Sequence, residues 1–550
     1  MKLLLASILF AFAISVSSCM KGESVDLVIH NAQVHTLNGS NSIEDAVAIK
    51  DGKIVEVGPE RQILNKFSAD EYIDAGRKVV YPGLIDAHGH LMAYARQKLS
   101  VNLVGCRSYD EMVVRVLKYK ARNKTKFIIG SGWDQSLWGE EELPTNEQLS
   151  EEFPDVSVAL VRIDGHSMLV NDYLLTSTDV IKTVETDPEK YEGGQFLCNE
   201  DSIPTGMVID NAMTPIFALA PKFSTKELTD AIKEIQIELL SYGITGVHEA
   251  GIENTDLKLI EKWVENGVLD LNIYGMLIPS KKNIAFARKN GVYTNKNLSI
   301  RSFKVYADGA LGSRGAFLKE PYSDKPDETG HLTTPFEEID RIATICEEVG
   351  YQMNTHSIGD STNKLMLQLY KRVFKTNPDH RWRIEHAQII ETTDLGALAA
   401  AGAFPSIQPT HAVTDHTWVE KRIGQSRMDR AYSYKRILDE FGIIAIGTDF
   451  PFDQMDPFKT IHAATNRMDH ENRPAGGFLP EQKISLDECI KGMTLWASMA
   501  AFQENELGTI EDGKDATIVI FEDPIATYSG FKNNFANTVF IKGKKVYSVE

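Results

Sequence analysis

Apolar and polar positions along this chain follow two periods, and the switch between them outlines the architecture. Near the start, Val25-Asp26-Leu27-Val28-Ile29 reads as a strand that Val34 to Leu37 continues. Ala46 to Lys50 and Lys53 to Val57 flank Asp51-Gly52, a dipeptide suited to the left-handed positions of a two-residue hairpin turn. Tyr72-Ile73-Asp74 and Lys78-Val79-Val80 read as further short strands. The far end repeats the style, with Ala516 to Phe521 as a strand and a hairpin of Thr538 to Ile541 and Lys545 to Tyr547 around Lys542-Gly543-Lys544. Neither end is large enough to close a core alone. Residues 23–82 and 506–550 are therefore expected to combine into one small composite β-sandwich, with two independent hairpins as the alternative.

Between the ends the pattern alternates. Phe127 to Gly130, Ser157 to Val161, Thr245 to Val247, Phe303 to Tyr306 and Ile443 to Ile446 are apolar runs of strand length. Ala231 to Leu240 instead places Ile232, Ile235, Leu239 and Leu240 on one helical face, and Ile339 to Val349 does the same with Ile342, Ile345, Cys346 and Val349. Strands alternating with helices predict an α/β fold with a parallel sheet. Residues 83–505 leave room for a (β/α)8 TIM barrel, which takes roughly 250 residues before insertions. One stretch, about 91–222, breaks the alternation and is rich in Asp, Glu, Gly and Pro; it reads as a lobe inserted after the first barrel strand, near the barrel mouth.

Composition adds limits. Of 550 residues, 43% are apolar and 25% charged, enough to bury a large core. A net charge of −19 repels phosphate backbones and excludes nucleic acid as an expected partner. Lys2 precedes a nearly unbroken apolar run from Leu3 to Val16, the length of a signal h-region and short for a membrane span. It ends in Val16-Ser17-Ser18-Cys19, which resembles the lipobox of bacterial lipoproteins, where the cysteine is lipidated. Residues 1–19 are thus expected to be a signal peptide, and the protein to be exported and held to the cell envelope, periplasmic or at the surface, by lipid on Cys19. An ordinary cleaved signal peptide is the alternative, and the lipid anchor is the one membrane contact expected. Cys106, Cys198, Cys346 and Cys489 form no CxxC pair, which argues against a cysteine zinc cluster and leaves disulfides open.

The chemistry-bearing residues come at strand ends. In Ile85-Asp86-Ala87-His88-Gly89-His90 the two histidines stand at i and i+2, so a strand points both to one face, where they can hold one cation. His356 in Asn354-Thr355-His356-Ser357, His386 in Arg383-Ile384-Glu385-His386 and Asp449 in Gly447-Thr448-Asp449-Phe450 each follow a strand-like run and precede a turn or helix. In a barrel that position faces the active-site mouth. Taken singly, each is equally a satisfied core histidine or a capping aspartate.

As an ordered set, these residues resemble the binuclear-metal pattern of the amidohydrolase superfamily. The nearest resemblance is to its YtcJ-like branch, amidohydrolase family 3, which includes N-substituted formamide deformylases. Gly132-Trp133-Asp134, Arg162-Ile163-Asp164-Gly165-His166, Ala307-Asp308-Gly309-Ala310-Leu311-Gly312-Ser313-Arg314, Gln408-Pro409-Thr410-His411 and Leu507-Gly508-Thr509-Ile510-Glu511-Asp512-Gly513 carry it. The resemblance implies a TIM barrel that hydrolyses carbon–nitrogen bonds of non-peptide amides through metal-activated hydroxide. It further implies two divalent ions, zinc first, with manganese, iron or cobalt as rivals. His88, His90 and Asp449 would hold one ion and His356 and His386 the other, with a carboxylated Lys304 bridging them and Asp449 moving the proton. Trp133, Asp134, His166, Arg314 and His411 are the implied contacts to a small-molecule amide, while Glu249 stands where an aspartate is expected and reads as a barrel-rim hydrogen-bonding residue. The same fold acting on an ester, lactone or ring amide stays open, as do a non-catalytic binding lipoprotein and a homodimeric assembly.

Overall fold

The computed structural model describes residues 22–139, 143–186, 193–525 and 535–549; Cys19 and the rest of the leader lie outside them. The described chain divides into two compact units. The larger, residues 83–508 with 525–536, is built on eight parallel strands. They are β1 (Leu84–Gly89), β2 (Ile244–Ile252), β3 (Asn272–Leu277), β4 (Leu298–Tyr306), β5 (Gln352–Ser357), β6 (Arg383–His386), β7 (Phe404–Ile407) and β8 (Ala445–Ile446). Each pairs in parallel with the next, in chain order, from β1 to β8. The seam between β8 and β1 is joined just past the strands, where Asp449 N donates to His88 O and His90 N to Phe450 O, both at 2.8 Å. This is a nearly closed (β/α)8 barrel of the TIM type, as the alternating pattern predicts.

Helices cover the strands for the reasons their sequences suggest. Thr225–Ser241 starts on a capping box, Ser224 with Glu227, and buries Ile232, Ile235, Leu239 and Leu240. Phe336–Val349 buries Ile339, Ile342, Ile345 and Cys346 and ends at Gly350, whose φ of 72° suits a left-handed cap. The inserted lobe between β1 and β2 has a six-stranded sheet of its own, ordered Gln195–Cys198, Pro204–Ile209, Ser167–Val170, Ser157–Arg162, Phe127–Trp133, Val101–Asn102. Two runs that looked like members of the alternating set, Phe127 to Gly130 and Ser157 to Val161, therefore belong to this lobe and not to the barrel.

The smaller unit comprises residues 22–82, 509–524 and 537–549. One sheet runs Lys53–Gly58, Ala46–Lys50, Glu23–His30, Phe67–Asp74; the other joins Val79–Pro82 to Ile518–Phe521 and carries the terminal hairpin. Leu27, Ile29, Val47 and Ile49 pack with Val80, Ile518, Ile520 and Phe540 in one core drawn from both ends of the chain. Among the described residues Cys106, Cys346 and Cys489 are buried, Cys198 is exposed, and none is in a disulfide. No described helix is long and apolar enough to cross a membrane.

Candidate metal centre

The parallel register aligns the strand ends at one mouth. Tyr306 of β4 pairs with His356 of β5, and Ser357 pairs with His386 of β6. His88 lies near the end of β1, fully buried, and His90, two residues further, stands at the N-cap of helix Leu91–Lys98. Strand alternation alone would turn His386 away from the interior that Arg383 and Glu385 face. Its φ of 75° re-aims it, and Asp449 takes a similar φ of 65° just after β8. Left-handed backbone at two non-glycine residues costs of order 1–3 kcal/mol each and concentrates at functional sites.

The result is a cluster. Single ligand atoms of His88, His386 and Asp449 lie within 4.8 Å of one another, which makes these three a group able to hold a metal ion. Asp449 Oδ1 is 3.2 Å from His90 Nε2 and 3.6 Å from His88 Nε2. The His356 and His386 rings are 4.5 Å apart. Lys304 Nζ lies 3.0 Å from His88 Nε2, nearly buried inside the barrel. All six side chains expected at the centre are thus brought together at the mouth.

Burial governs the protonation of this group. It pushes His88 down to about 4, helped by Lys304, and holds His356 and His386 well below the usual histidine range. It also lowers Lys304 to about 8. Burial would raise Asp449, but the hydrogen bond of His90 and the field of His88, His90 and His411 outweigh it and keep the carboxylate ionised. Neutral imidazoles, an ionised carboxylate and an amine that readily loses its proton form a donor set that divalent cations accept. His356 Nε2 fits that use, because it is buried with no hydrogen-bond partner among the described residues.

Supporting contacts fix the ligands in place. His88 Nδ1 donates to Glu385 Oε2 at 2.6 Å, and His386 Nδ1 donates to Gln408 Oε1 at 2.7 Å. Buried Asp86 accepts from His88 N and from Thr448 N and Oγ1, pinning the two loops that carry His88 and Asp449. Asp308 is no ligand: its oxygens accept from Phe317 N, Ile358 N, Gly359 N and Thr362 Oγ1, tying the loop after β4 to the end of β5. Glu249 accepts from Leu91 N and Met92 N, capping the helix that follows His90. Glu385, Gln408 and Asp86 went unnoticed in the sequence; for Glu385 the signal was there, since Arg383 and Glu385 share one strand face two residues apart.

A cavity of about 1290 Å³ opens over the cluster, walled by barrel and lobe. His166 reaches in from the lobe, packed on the His356 ring at 4.9 Å and held by Asp210 at 2.7 Å from its Nδ1. His411 also lines the cavity, its Nε2 3.5 Å from Asp449 Oδ2 and its Nδ1 held by Gln388. Asp134 lines it too, paired at 3.0 Å with Arg162, which also holds Asp164 at 2.8 Å. Two expected contacts are corrected. Trp133 is not on the cavity wall: it is fully buried in the lobe core, its Nε1 donating to Leu160 O, because its position on the strand faces the lobe interior. Arg314 is not free for a carboxylate, since Asp324 already takes its guanidinium at 3.0 Å and it does not line the cavity.

Fold and site define a class: a (β/α)8 barrel whose mouth gathers imidazoles, a carboxylate and a lysine suited to divalent cations. The amidohydrolase family model matches residues 71–539, and the chain belongs to that family. Among its relatives are Protein LONG AFTER FAR-RED 3 of Arabidopsis thaliana, 28% identical over 96% of this chain and 92% of that one, and YtcJ of Bacillus subtilis, 26% identical over 90% and 94%. The N-substituted formamide deformylase of Arthrobacter pascens is 23% identical over 92% and 95%. A crystal structure of an uncharacterized metal-dependent hydrolase from Pyrococcus horikoshii superposes with a TM-score of 0.72 at 24% identity, covering 91% of this chain and 98% of that one.

Proposed function

We propose that this protein is a metal-dependent hydrolase that cleaves carbon–nitrogen bonds of non-peptide amides in small molecules. The observation that carries the reading is the convergence of His88, His90, Lys304, His356, His386 and Asp449 at the C-terminal ends of the barrel strands. The formamide deformylase similarity over nearly the whole chain supports the choice of bond.

His88, His90 and Asp449 would hold one ion and His356 and His386 a second, with Lys304 between them as a carbamate. The neutral Lys304 amine would add carbon dioxide, releasing one proton and leaving a carbamate whose single negative charge is shared by two oxygens. Divalent cations at such a centre supply Lewis acidity for a carbonyl and acidify water toward neutral pH. Asp449 stays ionised and serves as the base that takes a proton and delivers it to the departing nitrogen. His166, steadied by Asp210, and His411, steadied by Gln388, present their Nε2 atoms to the cavity and orient the carbonyl end of the substrate. Asp134 and Asp164, fixed by Arg162, form the polar wall on the lobe side. Tethering to the cell envelope through Cys19 belongs to the same proposal and rests on the lipobox.

The test is metal analysis of the purified protein together with a panel of N-formyl and N-acyl amines, esters and lactones, with zinc or manganese added. Turnover of the amides, lost in H88A and D449N, supports the reading. Preference for esters or lactones would reassign the bond, and full activity in H88A would reject the centre.

A further inference from the structure

The layer of side chains beneath the metal centre is not the aliphatic packing usual inside such barrels, where Val, Ile and Leu dominate. It holds an ion pair with no solvent contact: Arg383 and Glu385 are both fully buried. The guanidinium donates to the carboxylate through NH2, 3.0 Å from Oε2, and its Nε stands 2.7 Å from Oε1 as an ion-pair contact. The rest of Arg383 is spent on three other strands: NH2 donates to Ala87 O of β1 and to Ser406 Oγ of β7, and NH1 donates to His248 Nδ1 of β2 at 2.9 Å. Taking both charges out of water offsets most of their attraction, so an apolar pair of similar volume would hold this layer at least as well. Stability does not account for the pair.

Among the described residues, the pair's side-chain hydrogen bond to the centre goes to His88. Glu385, held ionised by the charge of Arg383, is an acceptor only, so His88 Nδ1 must be the donor in their 2.6 Å bond. On the opposite side of the ring a donor group, Lys304 Nζ, faces Nε2 at 3.0 Å. Glu385 requires the Nδ1–H tautomer, and Lys304 as a donor is compatible with it. We propose that the buried Arg383–Glu385 pair is a positioning device that locks His88 with its proton on Nδ1 and its Nε2 lone pair aimed into the centre, and so sets the affinity for the cation. The proposal rests on reading this centre as a metal site. It assigns Arg383 and Glu385 no contact with substrate; they act through His88.

The experiment compares wild type, R383M/E385L and E385Q. Three readings are taken: melting of the metal-free protein, zinc affinity by competition with a chromophoric chelator, and the imidazole nitrogen resonances of His88 in metal-free, 15N-histidine-labelled protein, assigned with H88N. The double variant is expected to melt within a few degrees of wild type or above it, to bind zinc about 10- to 100-fold more weakly, and to lose the single tautomer. E385Q still accepts from Nδ1–H but leaves the buried Arg383 cation without its counter-charge, so it is expected to keep the His88 tautomer and near wild-type zinc affinity while melting lower. A folded double variant with wild-type zinc affinity would overturn the proposal. So would a wild-type His88 protonated on Nε2, a result that needs no variant to fold. Wild type that takes up no zinc, manganese or cobalt would instead bring down the metal reading itself.

Discussion

Lys304 is a cationic residue type set among groups that would otherwise gather cations, and burial resolves the conflict. An ordinary lysine near 10.5 would be an ammonium there, but desolvation lowers this one to about 8, so the neutral amine is within reach at mild pH. The folded-state value lies below the unfolded one, so protonation is favoured below pH 8 and relieved above it. Reconstitution of metal-free protein with zinc and bicarbonate is therefore expected to be slow at pH 6.5, to accelerate through pH 8 and to level off beyond; recovery of activity against time measures it, and a flat profile would remove the carbamate. Trp133 makes the opposite point. It belongs to a motif that the resemblance places against substrate, yet it is packed in the lobe core with no face on the cavity. W133A is expected to cost about 3–5 kcal/mol in denaturant unfolding of the lobe, whereas an effect confined to KM would return it to the wall.

At the scale of elements, the seam between β8 and β1 does the assembling. His88 and Asp449 stand on strands at opposite ends of the chain's barrel order, and the Asp86–Thr448 contacts bring their loops to hydrogen-bonding distance. Gly447 permits this closeness. A Cβ there would stand 2.4 Å from His88 N and 2.8 Å from Asp86 Oδ1, contacts no side chain tolerates. G447A is expected to force the seam apart and weaken zinc binding by tenfold or more while β2 to β6 stay paired, because the contacts of Gly447 are with Asp86 and His88 of β1 and, through its N–H, with Ile407 of β7. Chelator competition and far-UV circular dichroism check the two halves of that expectation. Unchanged zinc affinity would mean the seam is slack.

For the whole molecule, the proposed centre would draw its ligands from β1, β4, β5, β6 and the loop after β8, which would tie metal binding to barrel integrity. Anything that binds the folded state alone stabilises it, by roughly 2.7 kcal/mol at a hundredfold excess over Kd. Exhaustive chelation is expected to abolish amide turnover and lower the melting temperature, with zinc restoring both. An unaltered melting curve on metal removal would argue that the cluster is a polar core and no more. At the N-terminus, C19A is expected to shift the protein from the membrane to the soluble fraction of cells, and labelling with a radioactive fatty acid should follow the cysteine. Wild type recovered unlabelled in the soluble fraction would reduce the lipobox to an ordinary leader.

The pattern of the sequence determined much on its own. Period-two and period-3.6 runs announced a parallel α/β body between two β-rich ends, and HxH, His356, His386 and Asp449 stood out because barrel chemistry sits where strands end, whereas Lys304 entered through the family resemblance. These features are local: each needs only the chain around it. What the tertiary structure decided depends on neighbours remote in sequence. Which strands belong to the lobe was settled by pairing partners, since an apolar run does not name its sheet. Trp133 turned inward and Arg314 was claimed by Asp324 because packing and charge pairing are set by whatever the fold brings alongside. His386 and Asp449 reached the centre through left-handed backbone that no period predicts. The ion pair of Arg383 and Glu385 is set beside His88 only because four strands close around it, and the role proposed for it depends on that closure.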